Sequence, residues 1–174
     1  FVEGTHFDQS QNPETVGHKL LAVNLSDLAA MGAQPLCFTL SINLQSFHEN
    51  WLKRFCDGLF KLSNSSKCKL VGGDTVRSLK NSPTFFGVTV LGFVPRGMKL
   101  QRCLAKPEDD LWISGTLGNP SISLKREEYC EKLLKPSPRL QLGQRLLHFA
   151  NSAIDISDGF STDVTHIVDE SSRK

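Results

Sequence analysis

The most regular pattern of apolar and polar residues lies in the stretch LLAVNLSDLAAMGA. Apolar side chains recur at the spacing of one helical face, at Val16, Leu20, Val23, Ala30 and Met31. The opposite side is apolar as well, and a helix that is apolar all round is normally buried. Asp27 shares the first face, so the pattern predicts a carboxylate in a dry segment that needs a cation, hydrogen-bond donors or water. The alternative is an ordinary carboxylate that faces solvent near a helix end.

Both ends of this helix are marked in the sequence. Asn12 followed by Pro13 is typical of a helix start, because Asn caps free N–H groups and Pro fits the first helical position. Gly32 with Pro35 just beyond is typical of a helix end. The sequence therefore predicts one helix between these signals.

Shorter apolar patterns predict the rest of the first half. Strands are predicted to end within 1–7 and to occupy 36–44, 67–71 and 84–94, and an amphipathic helix is predicted over 49–63. These elements predict a βαβαββ-like block whose sheet is covered by one layer of helices.

A segment rich in Pro, Gly and charge, PRGMKLQRCLAKPEDD, marks a boundary. After it, strands are predicted at 111–114 and 152–156, and helices at 120–134, 137–150 and 160–170. We expect one domain over 1–95, a linker over 96–110, and the start of a second domain over 111–174.

Three sites place a carboxylate at the end of an apolar element beside small residues. They are Asp27 in NLSDLAAMGA, Asp74 in VGGDT, and the pair Asp155 and Asp158 in AIDISDG. Carboxylates that converge at strand ends repel one another, and Mg²⁺ shared with substrate phosphates relieves this repulsion. The sequence lacks the loop spacing of a calcium-binding EF-hand and the Cys and His clusters of a zinc site. The alternative is three unrelated carboxylates that cap turns.

Several further residues are suited to anions. Gly72 and Gly73 leave the backbone bare before Asp74 and could cradle a phosphate, although most such pairs are simple turns. Arg102 could reach a phosphate or remain a solvated loop residue. His6 follows Gly4 and Thr5 and is a candidate binding residue. The alternative is a structural role, which is usual for a lone histidine.

Composition narrows the class of protein. The 174 residues are 39% hydrophobic with a formal net charge of +2, which gives no support for nucleic acid or a membrane as partner. The five cysteines are scattered without a CxxC pair, which is typical of reduced thiols in a cytoplasmic protein.

The motifs GTHF, LAVNLSDLAAMGAQP, VGGDT, RCLAKPED, PSPR and AIDISDG together resemble the thiamine-monophosphate kinase family, in the aminoimidazole ribonucleotide synthetase-like superfamily. The resemblance implies an α+β fold, an α/β sandwich of PurM-like two-domain architecture, with the N-terminal domain nearly complete and the C-terminal domain truncated. It implies transfer of a phosphoryl group from ATP to thiamine monophosphate with Mg²⁺, giving thiamine diphosphate. It also implies a homodimer, in which 1–95 is the α/β domain for ATP binding, metal binding and dimerisation, without its first elements, and 111–174 is the start of the C-terminal α+β domain.

The resemblance assigns roles residue by residue. Its magnesium ligands correspond to Asp27, Asp74, Asp155 and Asp158, its ATP contacts to Gly73, Asp74, Arg102 and Ser157, and its substrate-side histidine to His6. No catalytic residue is assigned, because the metals carry the transfer. Glu108 stands where the family usually has Gly, a departure that affects the local backbone.

The chain opens at Phe1 and stops at Lys174 in polar helical sequence, so we expect an internal fragment that is inactive alone. Two other functions remain open. One is a synthetase of the same superfamily, of the aminoimidazole ribonucleotide or selenophosphate type. The other is a dimerising nucleotide-binding domain without catalysis.

Overall fold

A computed structural model describes residues 1–8, 10–46, 48–78, 82–118 and 131–172. The chain divides into two compact units. The first contains Phe1–Leu25, Pro35–Gly92 and Leu134–Ser137, and the second contains Ser26–Gln34, Phe93–Leu133 and Pro138–Lys174. No helix in the described ranges combines the length and apolar character needed to cross a membrane.

The described helices and strands alternate in the first half, and only helices follow in the second. In chain order they are α1 (Pro13–Ala30), β1 (Gln34–Leu44), α2 (Glu49–Ser66), β2 (Lys69–Arg77), β3 (Phe85–Phe93), α3 (Glu131–Leu134), α4 (Leu140–Leu146) and α5 (Phe160–Ser172). The strands form a sheet of order β2-β1-β3, in which β1 and β2 run parallel. The predicted long helix, the amphipathic helix and the strands 36–44 and 84–94 are therefore confirmed.

Helix α1 is capped as its sequence predicts. The Glu14 N–H donates to Asn12 Oδ1 at 3.0 Å, and the Ala33 N–H donates to the Leu28 carbonyl at 2.8 Å. Gly32 adopts a φ of +70°, a left-handed conformation that glycine takes without strain.

The core of the first unit is built on aromatic rings. The rings of Phe55 on α2 and Phe86 on β3 stack with centroids 4.7 Å apart, and both side chains are fully buried. The Trp51 ring stacks on Phe55 at 5.4 Å. Stacked aromatic pairs add to the stabilisation from burial, so this cluster fixes α2 on the sheet.

Two glycines let α1 and α2 approach closely. A Cβ atom on Gly17 would occupy the space of the Phe55 carbonyl, and one on Gly58 would occupy that of the Glu14 carbonyl. Each helix thus presents a bare backbone to the carbonyl of the other. Close approach by a bare backbone is a use that glycine alone serves.

The second unit is organised around the last turn of α1. The Leu100 N–H donates to the Met31 carbonyl at 3.2 Å, and Gln144 Nε2 donates to the Ala33 carbonyl at 3.5 Å. A Cβ on Gly143 of α4 would meet the Ala29 carbonyl, so α4 packs directly on the end of α1. This packing positions Asp27 in the second unit.

The structure corrects four expectations. The segments 111–114 and 152–156 form no strand, and 1–7 forms only isolated bridges, Val2 with Phe85 and Glu3 with Phe7. A strand needs a hydrogen-bonded partner along its length, whereas among the described residues the outward bonds of 152–156 lie at its start, where Ser152 Oγ and the Ala153 N–H donate to the Gln101 carbonyl. The strand predicted over 67–71 continues to Arg77, because β1 offers it a parallel ladder.

The helices of the second half are shorter than predicted or differ at their ends. The helix predicted over 137–150 is α4, Leu140–Leu146, and that over 160–170 is α5, which extends to Ser172. Of the helix predicted over 120–134, residues 120–130 lie outside the described residues, and α3 covers the remainder.

Candidate functional site

Asp27 lies in the last turn of α1 on a stripe that is open to solvent. Val23 and Met31, one turn before and after it, are 38% and 46% exposed, and Asp27 itself is exposed. The expectation that this face is dry is therefore wrong around Asp27, although Val16 and Leu20 nearer the start of the same face are buried. The buried side of the helix holds Leu21, Leu25 and Leu28, which pack into the protein and turn Asp27 outward.

The carboxylate of Asp27 is nonetheless electrostatically perturbed. Partial loss of water around it is the main cause that raises its pKa, and the negative charge of Asp155 raises the pKa further. The positive charge of Arg102 acts in the opposite direction. The structure thus brings two predicted metal ligands and one predicted ATP contact within electrostatic range of one another, in the second unit.

Asp74 lies within a strand rather than in a turn. Gly73 pairs with Leu40 and Asp74 pairs with Ser41 in the parallel ladder between β1 and β2. A Cβ on Gly73 would occupy the space of the Leu40 carbonyl, so glycine is required for this pairing. The turn predicted at Gly72 and Gly73 is therefore a strand, and their contact with phosphate stays a prediction. The exposed Asp74 side chain accepts the Thr75 N–H at 2.8 Å.

His6 lies in the first unit on a short turn. The Val2 N–H donates to His6 Nδ1 at 3.0 Å, and Lys19 Nζ donates to the His6 carbonyl at 3.1 Å. Because Nδ1 accepts a hydrogen bond, the neutral ring carries its proton on Nε2. The exposed ring can therefore donate from Nε2 to an anion.

Ser157 and Asp158 lie on a turn that leads into α5. Both side chains are exposed, whereas Asp155 is half-buried. The backbone N–H groups of Ser157, Asp158 and Gly159 donate to Asp163 Oδ2 at 3.0, 3.3 and 3.2 Å. Asp163 on α5 thus holds the turn that carries two of the predicted ligands.

One group of potential metal ligands joins the predicted Asp158 to two residues that the sequence did not suggest. Within 1–8, 10–46, 48–78, 82–118 and 131–172, the one set of three whose ligand atoms all lie within 4.8 Å of one another is Asp158, Asp163 and His166. The spacing of Asp163 and His166, three residues apart on one helix, was the available signal. The predicted ligands Asp27, Asp74 and Asp155 do not belong to this set.

The sequence of the chain matches a known protein family. A family model described as AIR synthase related protein, N-terminal domain, matches residues 1–94. The chain belongs to this family. Its membership confirms the superfamily that the motifs indicated.

Within the family, the chain is similar to thiamine-monophosphate kinases. It is 43% identical to the thiamine-monophosphate kinase of Escherichia coli strain K12 over an alignment of 180 residues. This alignment covers 96% of this chain and 54% of the relative. The chain thus spans about half the length of the curated relatives it matches.

Solved structures agree with the sequence comparison. A crystal structure of thiamine-monophosphate kinase from Stenotrophomonas maltophilia K279a superposes with a TM-score of 0.90 at 39% identity, covering 97% of this chain and 58% of that one. AaThiL complexed with AMPPCP and TMP gives a TM-score of 0.88 at 30% identity, covering 99% of this chain and 58% of that one. The predicted α+β, PurM-like fold class is confirmed.

Proposed function

We propose that this chain is part of an enzyme that transfers a phosphoryl group from ATP to thiamine monophosphate, giving thiamine diphosphate. The observation that carries the proposal is its 43% identity to a thiamine-monophosphate kinase over 96% of the chain. A structure of similar fold complexed with AMPPCP, an ATP analogue, and TMP supports the choice of substrates.

The candidate residues fit magnesium by their chemistry. Asp27 and Asp155 offer carboxylate oxygens, the ligands that Mg²⁺ prefers, and the charge of Asp155 raises the pKa of Asp27. A nearby cation would relieve this repulsion beyond what Arg102 supplies. We propose Asp27, Asp74, Asp155 and Asp158 as ligands for several Mg²⁺ ions. Bound Mg²⁺ would neutralise phosphate charge and orient the phosphates.

The remaining residues are proposed to bind and orient the substrates. Arg102 carries a guanidinium that can pair with phosphate oxygens, and Ser157 offers an exposed hydroxyl donor. Gly73 and Asp74 are proposed ATP contacts, and His6 can donate its Nε2 proton to the substrate-side phosphate.

The reaction needs no strong general base from the protein. An acceptor phosphate oxygen is ionised at neutral pH and can attack in line with the leaving group. Two unit charges about 4 Å apart repel by roughly 4 kcal/mol at an effective dielectric of about 20, so the main task of the site is charge neutralisation and alignment. A site of carboxylates and one guanidinium suits that task.

We propose that the whole protein acts in the cytoplasm as a homodimer. The sheet supports this view, since three large apolar side chains that alternate onto one face of β3 are exposed, at Phe85, Leu91 and Phe93. An apolar sheet face of this kind is suited to a second copy of the chain. The domain division into 1–95, 96–110 and 111–174 also remains our proposal.

The alternatives within the superfamily use a different acceptor. Hydrogenase maturation protein HypE in complex with ATP superposes with a TM-score of 0.75 at 18% identity, a likeness of fold alone. A synthetase of the aminoimidazole ribonucleotide or selenophosphate type would release ADP without modifying thiamine monophosphate. A non-catalytic nucleotide-binding domain would release none.

The test is an ADP-release assay on the full-length protein that we propose to contain this chain. We expect turnover with thiamine monophosphate and Mg²⁺, and none above the no-acceptor control with free thiamine, which lacks the ionised phosphate. Efficient phosphorylation of thiamine, or no turnover with thiamine monophosphate, would contradict the proposal.

A further inference from the structure

Asp163 carries a charge-bearing side chain that is almost wholly buried, with 2% of its surface exposed. A buried carboxylate is stable only when donors compensate it. The N–H groups of three successive residues, Ser157, Asp158 and Gly159, provide this compensation at 3.0, 3.3 and 3.2 Å, all to Oδ2. Its place in the first turn of α5 adds the favourable field of a helix N-terminus.

We propose that Asp163 is a positioning residue that fixes the Ser157–Asp158–Gly159 turn for phosphate and metal binding. Besides the Asp163 side chain, the turn is held by the Gly159 carbonyl, which accepts the Asp163 N–H at 3.0 Å, whereas Gly159 has a φ of +123° and no neighbour within 4 Å of a Cβ placed there. The exposed Ser157 and Asp158 side chains depend on this backbone for their direction. This inference rests on the proposed function, which gives those two side chains their ligands.

The geometry favours positioning over direct metal ligation. Asp163 lies close to Asp158 and His166, but three N–H donors already converge on its Oδ2 and its side chain is enclosed. A ligand needs its negative charge to bind the cation, whereas a positioning residue needs oxygen acceptors for N–H groups. The two roles therefore respond differently to replacement by asparagine, which keeps an oxygen acceptor and loses the charge.

The experiment compares Asp163→Ala, Asp163→Asn and the control Asp169→Ala in the full-length protein. Asp169 is an exposed carboxylate on the same helix, so its removal tests the loss of charge without loss of the turn. Two quantities are measured for each variant: amide hydrogen exchange at residues 157–159 without ligands, and kcat/KM for ATP with Mg²⁺. Circular dichroism confirms that each variant is folded.

We expect Asp163→Ala to speed exchange at these three amides by at least about tenfold, because the N–H groups lose their acceptor. We expect kcat/KM to fall by about 100-fold, the loss that a displacement of about 1 Å can cause. Asp163→Asn should recover kcat/KM to within about tenfold of wild type, with intermediate exchange, and Asp169→Ala should change neither quantity. If Asp163→Ala is unfolded, Asp163→Asn alone decides through its exchange rates and kcat/KM.

Two results would overturn the inference. Unchanged exchange at 157–159 in Asp163→Ala would show that Asp163 does not hold the turn. Wild-type exchange in Asp163→Asn, with kcat/KM lost as fully as in Asp163→Ala, would indicate a charged ligand instead. If the wild-type protein does not phosphorylate thiamine monophosphate, the proposed function fails, and the exchange measurement still decides whether Asp163 holds the turn.

Discussion

The turn at Lys106–Asp109 gives a prediction about stability that follows from one backbone angle. The Asp109 N–H donates to the Lys106 carbonyl at 3.2 Å and closes a four-residue turn. Pro107 suits its second position, but the third position is occupied by Glu108 with a φ of +70°. Turns of this kind favour glycine at that position, and the family resemblance implies glycine there as well.

The magnitude follows from two opposing effects. A left-handed conformation costs a non-glycine residue about 1–2 kcal/mol. Glycine loses more freedom on folding than glutamate, by about 0.4–1 kcal/mol. We therefore expect Glu108→Gly to raise the free energy of unfolding by about 1 kcal/mol, which corresponds to a rise in Tm of roughly 2–4 °C for a chain of this size.

The assay is thermal unfolding of the chain followed by circular dichroism, with Glu108→Ala as the matched control. Alanine removes the carboxylate and keeps the Cβ atom, so its Tm should stay near that of wild type. The reasoning is refuted if Glu108→Gly is no more stable than Glu108→Ala, because the gain would then not come from the backbone conformation.

Three further predictions concern packing, thiol chemistry and activity. Gly17→Ala should destabilise the fold by about 2 kcal/mol in urea unfolding, since its Cβ would overlap the Phe55 carbonyl and overpacking near the upper end of about 1–3 kcal/mol is offset by about 1 kcal/mol of better helix propensity. Gly72→Ala, which meets no neighbour, should stay within about 0.5 kcal/mol, and equal effects would contradict the close helix contact. Burial, with a smaller effect of Cys37, raises the pKa of the Cys68 thiol from 9.0 to about 11, so iodoacetamide at pH 8 should alkylate Cys68 about 100-fold more slowly than a thiol of ordinary pKa in a mass-spectrometric time course. Labelling of Cys68 as fast as the half-buried Cys103 would contradict the buried position. The chain alone should release no ADP above background with thiamine monophosphate, and turnover within about tenfold of the full-length protein would show that these residues suffice.

Local sequence signals predicted the elements whose ends are fixed by local chemistry. Asn12 and Gly32 defined α1 because caps act over a few residues, and the apolar spacing of α2 defined its buried side. The pattern did not reveal how far β2 extends, because the pairing of Gly73 with Leu40 and of Asp74 with Ser41 depends on a strand about 30 residues away in sequence. The apolar residues at 111–114 and 152–156 favour strands, but a strand also requires a neighbouring strand to pair with along its length, and neither segment has one in the part of the chain that the structure describes.

Some residues of the candidate site could be predicted from local motifs, and others could be found only in the folded chain. Asp27 and Asp155 could be named from motifs, and the structure places their charges within range of each other. The sequence did not identify Asp163, because a carboxylate in a polar helix turn resembles any solvent-facing residue. Its burial and its three N–H donors are properties of the folded turn. The thiols show the same limit, since free Cys37, Cys56, Cys68 and Cys103 differ in burial, and Cys130 lies outside the described residues.

The central claim is that Asp27 serves phosphoryl transfer rather than stability. Partial burial and Asp155 raise its pKa, so the folded protein binds a proton there more readily than the unfolded chain. Stability from this group is therefore fully present below the usual aspartate pKa of 3.8 and is lost as pH rises through the raised value in the folded state. Replacement by neutral asparagine should thus leave the protein at least as stable at pH 7, and the two should converge in acid.

The most direct measurement pairs turnover with stability for Asp27→Asn in the full-length protein. The control is Asp57→Asn, on an exposed carboxylate that pairs with Lys53 at 3.3 Å on α2. We predict that Asp27→Asn lowers kcat by more than about 100-fold, with an unchanged or higher Tm at pH 7. Replacing a residue that only supports a metal ligand already costs up to about 100-fold, and Asp27 is proposed as a ligand itself. The control should keep its activity. Turnover of Asp27→Asn within about tenfold of wild type, or a fall in Tm that accounts for lost activity, would contradict the claim.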